Sequence, residues 1–511
     1  MKAYLMYPDR DLDLEQPLPF NEEDLVQDLE LTTLWNAMAR GDKFLYRVAK
    51  YAILTGLKNP EEIGYRQEIL QDCLSHPEVI REMYQIPIEA MENKRKNWMG
   101  IFTYHPSGIL SSSIEMMEMF LDELRKLRRI AEEHASTFAS RGFRAFFEMI
   151  QKELDDSFFL EAIEHLKALK FRQGVLLGAR LGMGNEGKDY VLLKMPEKKR
   201  RSVSDIVLRK KPVYSFHISE WDDAGARALS ELKDRGINLV ANALAQSADH
   251  VDSFFRMLQT ELAFYIGCLN LYEKLKEMGC QVAFPSPAPM TERKHSFRGL
   301  YDVCLALTMK QKVVGNDGRG DGKELVIITG ANQGGKSTLL RGIGLAQLMM
   351  ECGMFVPADE FSANVCAHLF THFKRKEDAS MKSGKLDEEL NRMSDIVNHL
   401  IPHSIVLFNE SFASTNEREG SEIGRQITSA FLDRHIKVFF VTHFYEFAHN
   451  FYIQRDERFL FLRAERKSGG KRTFKLIEGE PLSTSFGEDI YSTVFGNTSP
   501  APELATQESA T

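Results

Sequence analysis

Apolar positions along this chain follow two different periods, and the changes between them divide it. From about residue 24 to 170 they recur at helical spacing, as in DLVQDLELTTLWNAMARGDKFLYRVAKYAIL, PEEIGYRQEILQDCL and IEMMEMFLDELRKLRRIAEEHASTFAS, which predicts a series of amphipathic helices. Between 172 and 216 the period shortens: GVLLGARLG and DYVLLKM flank MGNEGK, the pattern of a β-hairpin on a glycine-rich turn, and a basic loop follows. Residues 219 to 279 return to helix, interrupted by little except Gly236 and Gly267, and read as long paired helices standing out from a body. The stripe Phe254, Phe255, Met257 and Phe264 in that stretch is expected to be core packing.

PSPAP at 285 to 289 and GNDGRGDG at 315 to 322 punctuate the entry to a second region, where short apolar runs alternate with helical segments. ELVIIT, a helix from Ser337 onward, SIVLF at 404 to 408, a helix from about Gly420 to Arg434 and KVFFVTH at 437 to 443 predict an α/β nucleotide-binding domain. The closing NTSPAPELATQESAT is polar, without apolar period, and is expected to be disordered. The fold class is therefore mixed: an all-α domain with a small β-hairpin insertion, then an α/β domain. Boundaries are placed at 1–23 for an N-terminal extension, 24–300 for the helical domain, 301–495 for the α/β domain and 496–511 for the tail.

Size and charge change this picture only a little. A chain of 511 residues builds several cores, about three at the usual domain size. The opening MKAYLMYPDRDLDLEQPLPF has early acids and prolines and no continuous apolar core, and no later run has the length of a membrane span, so a soluble cytoplasmic protein without membrane contact is expected. The six cysteines are scattered without metal-ligand spacing, which argues against a zinc site or disulfide framework and fits a reducing compartment. A net charge of −8 gives no global footprint for nucleic acid. Any such contact falls to local basic runs, the densest being Lys198, Lys199, Arg200 and Arg201 followed by Arg209, Lys210 and Lys211.

The strongest chemical signal is ELVIITGANQGGKST at 324 to 338: an apolar run, a glycine-rich turn, and a lysine followed by two hydroxyls at the head of a helix. This is a phosphate-binding loop in its required context. Gly330, Gly334 and Gly335 let the backbone turn its N–H groups onto an anion, with Asn332 and Thr338 in the same loop. Lys336 would reach the β and γ phosphates of ATP, Ser337 would ligate Mg²⁺, and the helix N-terminus adds partial positive charge. SIVLFNES then ends a second buried strand with Asn409 and Glu410, where such ATPases place an Asp for the Mg²⁺ shell and a Glu for the attacking water. An asparagine there accepts a hydrogen bond but brings no charge, so slow hydrolysis is expected. His443 follows the next buried strand, at the end where parallel sheets bind ligands, and is a candidate γ-phosphate contact. Ser383 and Gly384 precede an acidic helix-forming run and could grip a partner's phosphate. Their place just ahead of SIVLFNE is the order of ABC-type ATPases.

Taken together these residues resemble the DNA mismatch repair MutS family. GANQGGKST is similar to that family's GPNMGGKST loop, and GMFVPA matches its G-x-x-VPA segment at Gly353 and Val356 to Ala358. Further matches are Phe370 and Thr371 in LFTHF, SGKLDEEL at 383 to 390, NES followed by Thr415 and Gly420, THFYEF at 442 to 447, and FKLIEGEPLSTSFGEDI at 474 to 490. The resemblance implies Lys336 and Ser337 on phosphate and Mg²⁺, Glu410 as catalytic carboxylate, His443 as γ-phosphate sensor, and Ser383 and Gly384 acting in trans across a nucleotide-sandwiching homodimer. Three places depart from it: the family's Walker Asp is Asn409, its GRGTST loop is degenerate as FASTNE at 412 to 417, and Val313 stands where members often stack an aromatic on adenine. The helical half is similar to the family's core and lever, and the chain begins almost at that core, so a short form without the mismatch-reading and connector domains is expected. Phe146-Phe147-Glu148 fits the family's intercalating Phe-x-Glu as a string, but inside a helical segment, where packing is the expected role.

The expected function is an ATP-dependent, dimeric DNA clamp acting in mismatch repair or on branched or recombination DNA, in the cytoplasm and on the nucleoid when DNA-bound, with a possible repair-protein partner. The alternative is an ATP-dependent switch or scaffold that controls a protein partner without touching DNA. A small-molecule kinase accounts for neither the segment at 383 to 390 nor the long helices.

Overall fold

A computed structural model describes residues 1–98, 105–195, 214–375, 384–466 and 472–482. Lys198, Lys199, Arg200, Arg201, Arg209, Lys210, Lys211 and Ser383, as well as the polar tail, lie outside the described residues. Helices dominate the first part: α1 (Glu22–Asp28), α2 (Leu31–Ala39), α3 (Lys43–Leu54), α4 (Pro60–Ser75), α5 (Pro77–Trp98), α6 (Pro106–His134), α7 (Arg141–Glu153) and α8 (Asp156–Leu169). Strands β1 (Leu177–Leu181) and β2 (Gly187–Leu192) form the expected antiparallel hairpin, and α9 (Asp223–Glu277) follows. The rest alternates: β3 (Ser286–Ala288), β4 (His295–Leu300), α10 (Val303–Met309), β5 (Asn316–Arg319), β6 (Leu325–Thr329), α11 (Lys336–Glu351), β7 (Glu360–Asn364) and β8 (Leu369–Phe373). It closes with α12 (Lys385–His399), β9 (Ile405–Asn409), α13 (Glu417–Asp433), β10 (Lys437–Val441), α14 (Tyr445–Tyr452), β11 (Phe459–Arg466) and β12 (Arg472–Glu478). The architecture is mixed, a helical part followed by an α/β part. Among the described residues no helix is long and apolar enough to cross a membrane.

Two compact units divide the chain: Met1–Leu12 with His76–Leu262, and Asp13–Ser75 with Ala263–Thr511. Helix α9 runs through both ranges. Paired helices were expected over 219 to 279, and one unbroken helix is observed. Glycine in a helix interior costs only about 1 kcal/mol, and both glycines sit where a neighbour comes close. A Cβ on Gly236 would lie 2.3 Å from a Leu177 methyl, and one on Gly267 3.3 Å from Met38 Cε.

In the first unit, α7 packs Phe143 and Phe147 against Phe138 and Phe146 against Phe147, with all four rings at most 2% exposed. The Phe-x-Glu string at 146 to 148 is thus core packing. The N-terminal segment is held in the same unit by Glu261, whose buried carboxylate accepts from Leu5 N at 2.6 Å and Leu12 N at 3.1 Å. Burial raises that carboxyl to about 7.

The second unit contains a six-stranded sheet in the order β12-β11-β6-β10-β9-β8 and a four-stranded sheet in the order β3-β7-β4-β5. All neighbours in the larger sheet are parallel except β11 and β12. Its inner strands are buried along their length, which explains their continuous apolar runs rather than alternation. Register aligns the ends that matter: Phe373 pairs with Asn409, Asn409 with Val441, and Val441 with Ile328. The loops after β6, β9 and β10 therefore leave from one edge of the sheet, where open parallel sheets bind ligands.

Candidate nucleotide site

The loop after β6 is shaped by its glycines. Gly330 has φ 107° and Gly335 φ 92°, the left-handed region that favours glycine. A Cβ on Gly330 would lie 2.8 Å from Ala464 N, and one on Gly334 2.6 Å from Ala464 Cβ. The strand β11 thus presses on the loop from one side, and only residues without a side chain leave room. Strand β12 adds two contacts: Arg472 donates to Gln333 Oε1 at 2.5 Å, and the Phe474 carbonyl lies against Gly335. β12 is in turn pinned to Asn316, which accepts from Leu476 N at 2.8 Å and donates to the Phe474 carbonyl at 3.3 Å.

Helix α11 begins at Lys336, so the N–H groups of its first turn have no partner within the helix and face the loop. The Lys336 amine is buried and donates to the carbonyls of Gly330 at 2.8 Å and Ala331 at 3.0 Å. Burial lowers its pKa, and the charge of Glu410 opposes that shift. Glu410 is thus electrostatically coupled to the lysine although it lies on another strand end. Ser337 donates to Asn409 Oδ1 at 2.8 Å, which joins the hydroxyl and the carboxamide expected to share a cation. Thr338 and Asn332 sit at the same loop, Asn332 exposed and Thr338 half-buried. A cavity of about 730 Å³ opens beside them, lined among others by Ser337, Thr338, Asn409, Arg341, Arg375 and Glu388.

The turn after β9 is held in an unusual backbone state. Glu410 has φ 53° and Phe412 φ 63°, and neither is glycine. His372 on β8 fixes them. Its Nδ1 lies 2.7 Å from Ser411 Oγ, its Nε2 lies 3.0 Å from the Glu389 carbonyl, and its ring stacks on Phe412 at 5.3 Å. Burial drives the imidazole down to about 4, so it is neutral at physiological pH. Ser414 also donates to Glu389 at 3.0 Å, tying the Glu410 turn to α12. His443 leaves β10 on the same sheet edge and is exposed, with Thr442 Oγ1 accepting from Phe444 N at 2.9 Å to shape the turn. Gly420 is needed because a Cβ there would lie 2.6 Å from the Phe412 carbonyl. Gly384 caps α12 from an exposed position with open space around it.

The structure thus brings Lys336, Ser337, Asn409, Glu410 and His443 to one edge of the sheet. Sequence reasoning missed His372, Arg472 and Asn316. Only the quoted LFTHF run around His372 and the GNDGRGDG run that contains Asn316 carried any signal for them.

A parallel sheet with a glycine loop between its central strand and a helix, and a polar pair at the end of a neighbouring strand, defines a P-loop α/β domain. Residues 58–278 match the family model described as MutS2 N-terminal domain, and residues 326–497 match the one described as MutS domain V. The chain is a MutS-family protein. It is 24% identical over 476 residues to a DNA mismatch repair protein MutS from Porphyromonas gingivalis, covering 83% of this chain and 53% of that protein. It is 29% identical over 202 residues to a DNA mismatch repair protein MutS from Leuconostoc citreum, covering 39% of this chain and 23% of that protein. With MutS protein homolog 4 of Mus musculus it shares 24% over 246 residues, 48% of this chain and 25% of that protein. The chain spans about half the length, or less, of the curated relatives it matches.

Proposed function

We propose that the chain is an ATP-dependent, DNA-binding ATPase that works as a dimeric clamp, in mismatch repair or on branched or recombination DNA. The observation that carries this reading is the Ser337–Asn409 hydrogen bond beside a loop in which Gly330 and Gly334 leave no room for a side chain and Gly335 has a positive φ. This arrangement fits a nucleotide with its cation. Ser337 and Asn409 would hold Mg²⁺, which when bound neutralises charge between the phosphates. Gly330, Asn332, Gly334, Gly335 and Thr338 would line the phosphates. The Lys336 amine exchanges its two loop carbonyls for β and γ oxygens when ATP enters.

Glu410 orients the attacking water and accepts its proton, and His443 senses the γ-phosphate from the neighbouring strand end. Asn409 gives the cation a weaker hold than a carboxylate, so turnover is slow. Gly384, exposed at the head of α12, and Ser383 before it would complete the partner's site in trans. The link from Glu410 through Ser411, His372 and Glu389 to α12 gives the dimer contact a physical route to the catalytic turn. ATP then closes the dimer because it binds the closed state better than the open one. DNA contacts are assigned mainly to phosphates, through Lys198 to Arg201 and Arg209 to Lys211.

The names of the relatives support the repair reading, and the net charge of −8 is what favours the protein-partner switch instead. Nucleotide titration and light scattering of two variants test the site. Lys336→Ala is expected to abolish ATP binding, and Glu410→Gln to bind ATP and accumulate as a nucleotide-dependent dimer. A Glu410→Gln protein that stays monomeric with ATP bound refutes the sandwich.

A further inference from the structure

Three of the most exposed large side chains in the described residues lie within eight positions of one another: Tyr214 at 91%, Phe216 at 80% and Trp221 at 92%. They occupy the irregular segment that leads into α9, and none of the three rings packs on another ring among the described residues. Single exposed apolar residues are ordinary, but three aromatics so close together on one short segment are not. The end of the segment is ordered by its own hydrogen bonds. Asp222 N donates to the Ser219 carbonyl at 3.0 Å, Trp221 N donates to Ser219 Oγ at 3.4 Å, and Gly225 N donates to Asp222 Oδ1 at 2.9 Å. The indole is thus presented from a fixed turn at the head of a helix.

What surrounds the segment in sequence indicates its partner. From Lys194 to Lys211 the chain carries Lys194, Lys198, Lys199, Arg200, Arg201, Arg209, Lys210 and Lys211 against only Glu197 and Asp205, in a protein of net charge −8. A cationic tract followed directly by free aromatic faces is the combination that binds single-stranded nucleic acid, phosphates to the tract and bases to the rings. A duplex offers the phosphates but keeps its base faces stacked inside.

We infer that Tyr214, Phe216 and Trp221 form a stacking platform for unpaired DNA bases, which directs the protein to DNA carrying a single-stranded stretch. This rests on the DNA-binding reading above and names its substrate class.

The test compares a thymidine oligonucleotide, an abasic strand of equal length and a blunt duplex, titrated by fluorescence anisotropy against the full chain and against Y214A/F216A/W221A. The thymidine strand is expected to bind the full chain at least roughly tenfold tighter than the abasic strand, since each stacked base is worth about that factor. The triple variant is expected to lose this preference while its duplex affinity, ATP binding and melting temperature stay unchanged. A Y214F/F216Y/W221F variant, which keeps an aromatic ring at each position, should retain the preference. Equal binding of the thymidine and abasic strands by the full chain overturns the platform alone. So does a triple variant that keeps the preference. A protein that binds ATP but none of the three nucleic acids overturns the DNA reading with it and leaves the rings to a protein partner.

Discussion

Lys437 opens strand β10, and replacing it by methionine is expected to stabilise the α/β unit. The lysine is 5% exposed, and among the described residues its amine has only two long contacts, to the Lys294 carbonyl at 3.4 Å and Asn364 Oδ1 at 3.5 Å. Beside it lies His295, fully enclosed among Phe297, Phe361 and Phe439, with neither ring nitrogen hydrogen-bonded among the described residues. Burial first, and then the charge of Arg293, pulls the amine down to about 7, with Asp321 and Glu324 opposing.

An unfolded lysine titrates near 10.4, so holding this one in the fold costs about 4 kcal/mol at pH 7. Methionine removes that cost and fills a similar volume, at the loss of two weak hydrogen bonds worth about 1 kcal/mol together. The net gain is about 3 kcal/mol, or roughly 5 °C in melting temperature for a unit of this size. The folded pKa lies below the unfolded one, so the wild-type protein loses stability as pH falls from about 10 to about 7 and not further below. The advantage of Lys437→Met is therefore full at pH 7 and nearly gone at about pH 10. Melting curves of both proteins across that range, followed by far-UV circular dichroism, check it. A methionine variant that melts lower at pH 7, or whose offset does not change with pH, refutes the reasoning.

Gly330→Ala places a Cβ against the backbone of Ala464 at a φ of 107°, a strain of roughly 1–2 kcal/mol before the clash is counted. ATP affinity, read by titration with a fluorescent analogue, is expected to fall at least about tenfold. Asn409→Asp should raise steady-state hydrolysis severalfold and lower the Mg²⁺ concentration for half-maximal rate, because the Ser337 partner becomes a carboxylate. An unchanged Mg²⁺ dependence would show that Asn409 is outside the cation's shell.

The parts of the site that were legible in the sequence are those in which local residues dictate local geometry. The glycine loop announces itself because a buried strand, three glycines and a helix head must follow one another within a few residues. Asn409, Glu410 and His443 were legible as strand ends, and parallel pairing then brings strand ends to one edge. His372 was not, because its role depends on β8 lying beside β9 and on a turn that positive φ angles bend back toward α12. Nor was the approach of Ala464 and Arg472 to the loop, since β11 pairs with β6 across more than a hundred residues of chain. Gly236 and Gly267 misled in the other direction. Glycine inside a helical period reads as a break, but here each marks a close neighbour. That Asp13–Ser75 shares a compact unit with Ala263 onward is likewise invisible to periodicity, which reports that a helix has an apolar face but not what covers it.

The central claim is that nucleotide turnover at Lys336 and Glu410 is coupled to DNA. The most direct measurement is the steady-state ATPase rate of the purified protein at two salt concentrations, alone and with homoduplex, mismatched duplex and four-way junction DNA. Stimulation by at least one DNA form, weakened by salt and absent in Lys336→Ala, is the expected result. A rate that is measurable, abolished by Lys336→Ala and indifferent to every DNA would contradict the coupling and leave the protein-partner switch in its place.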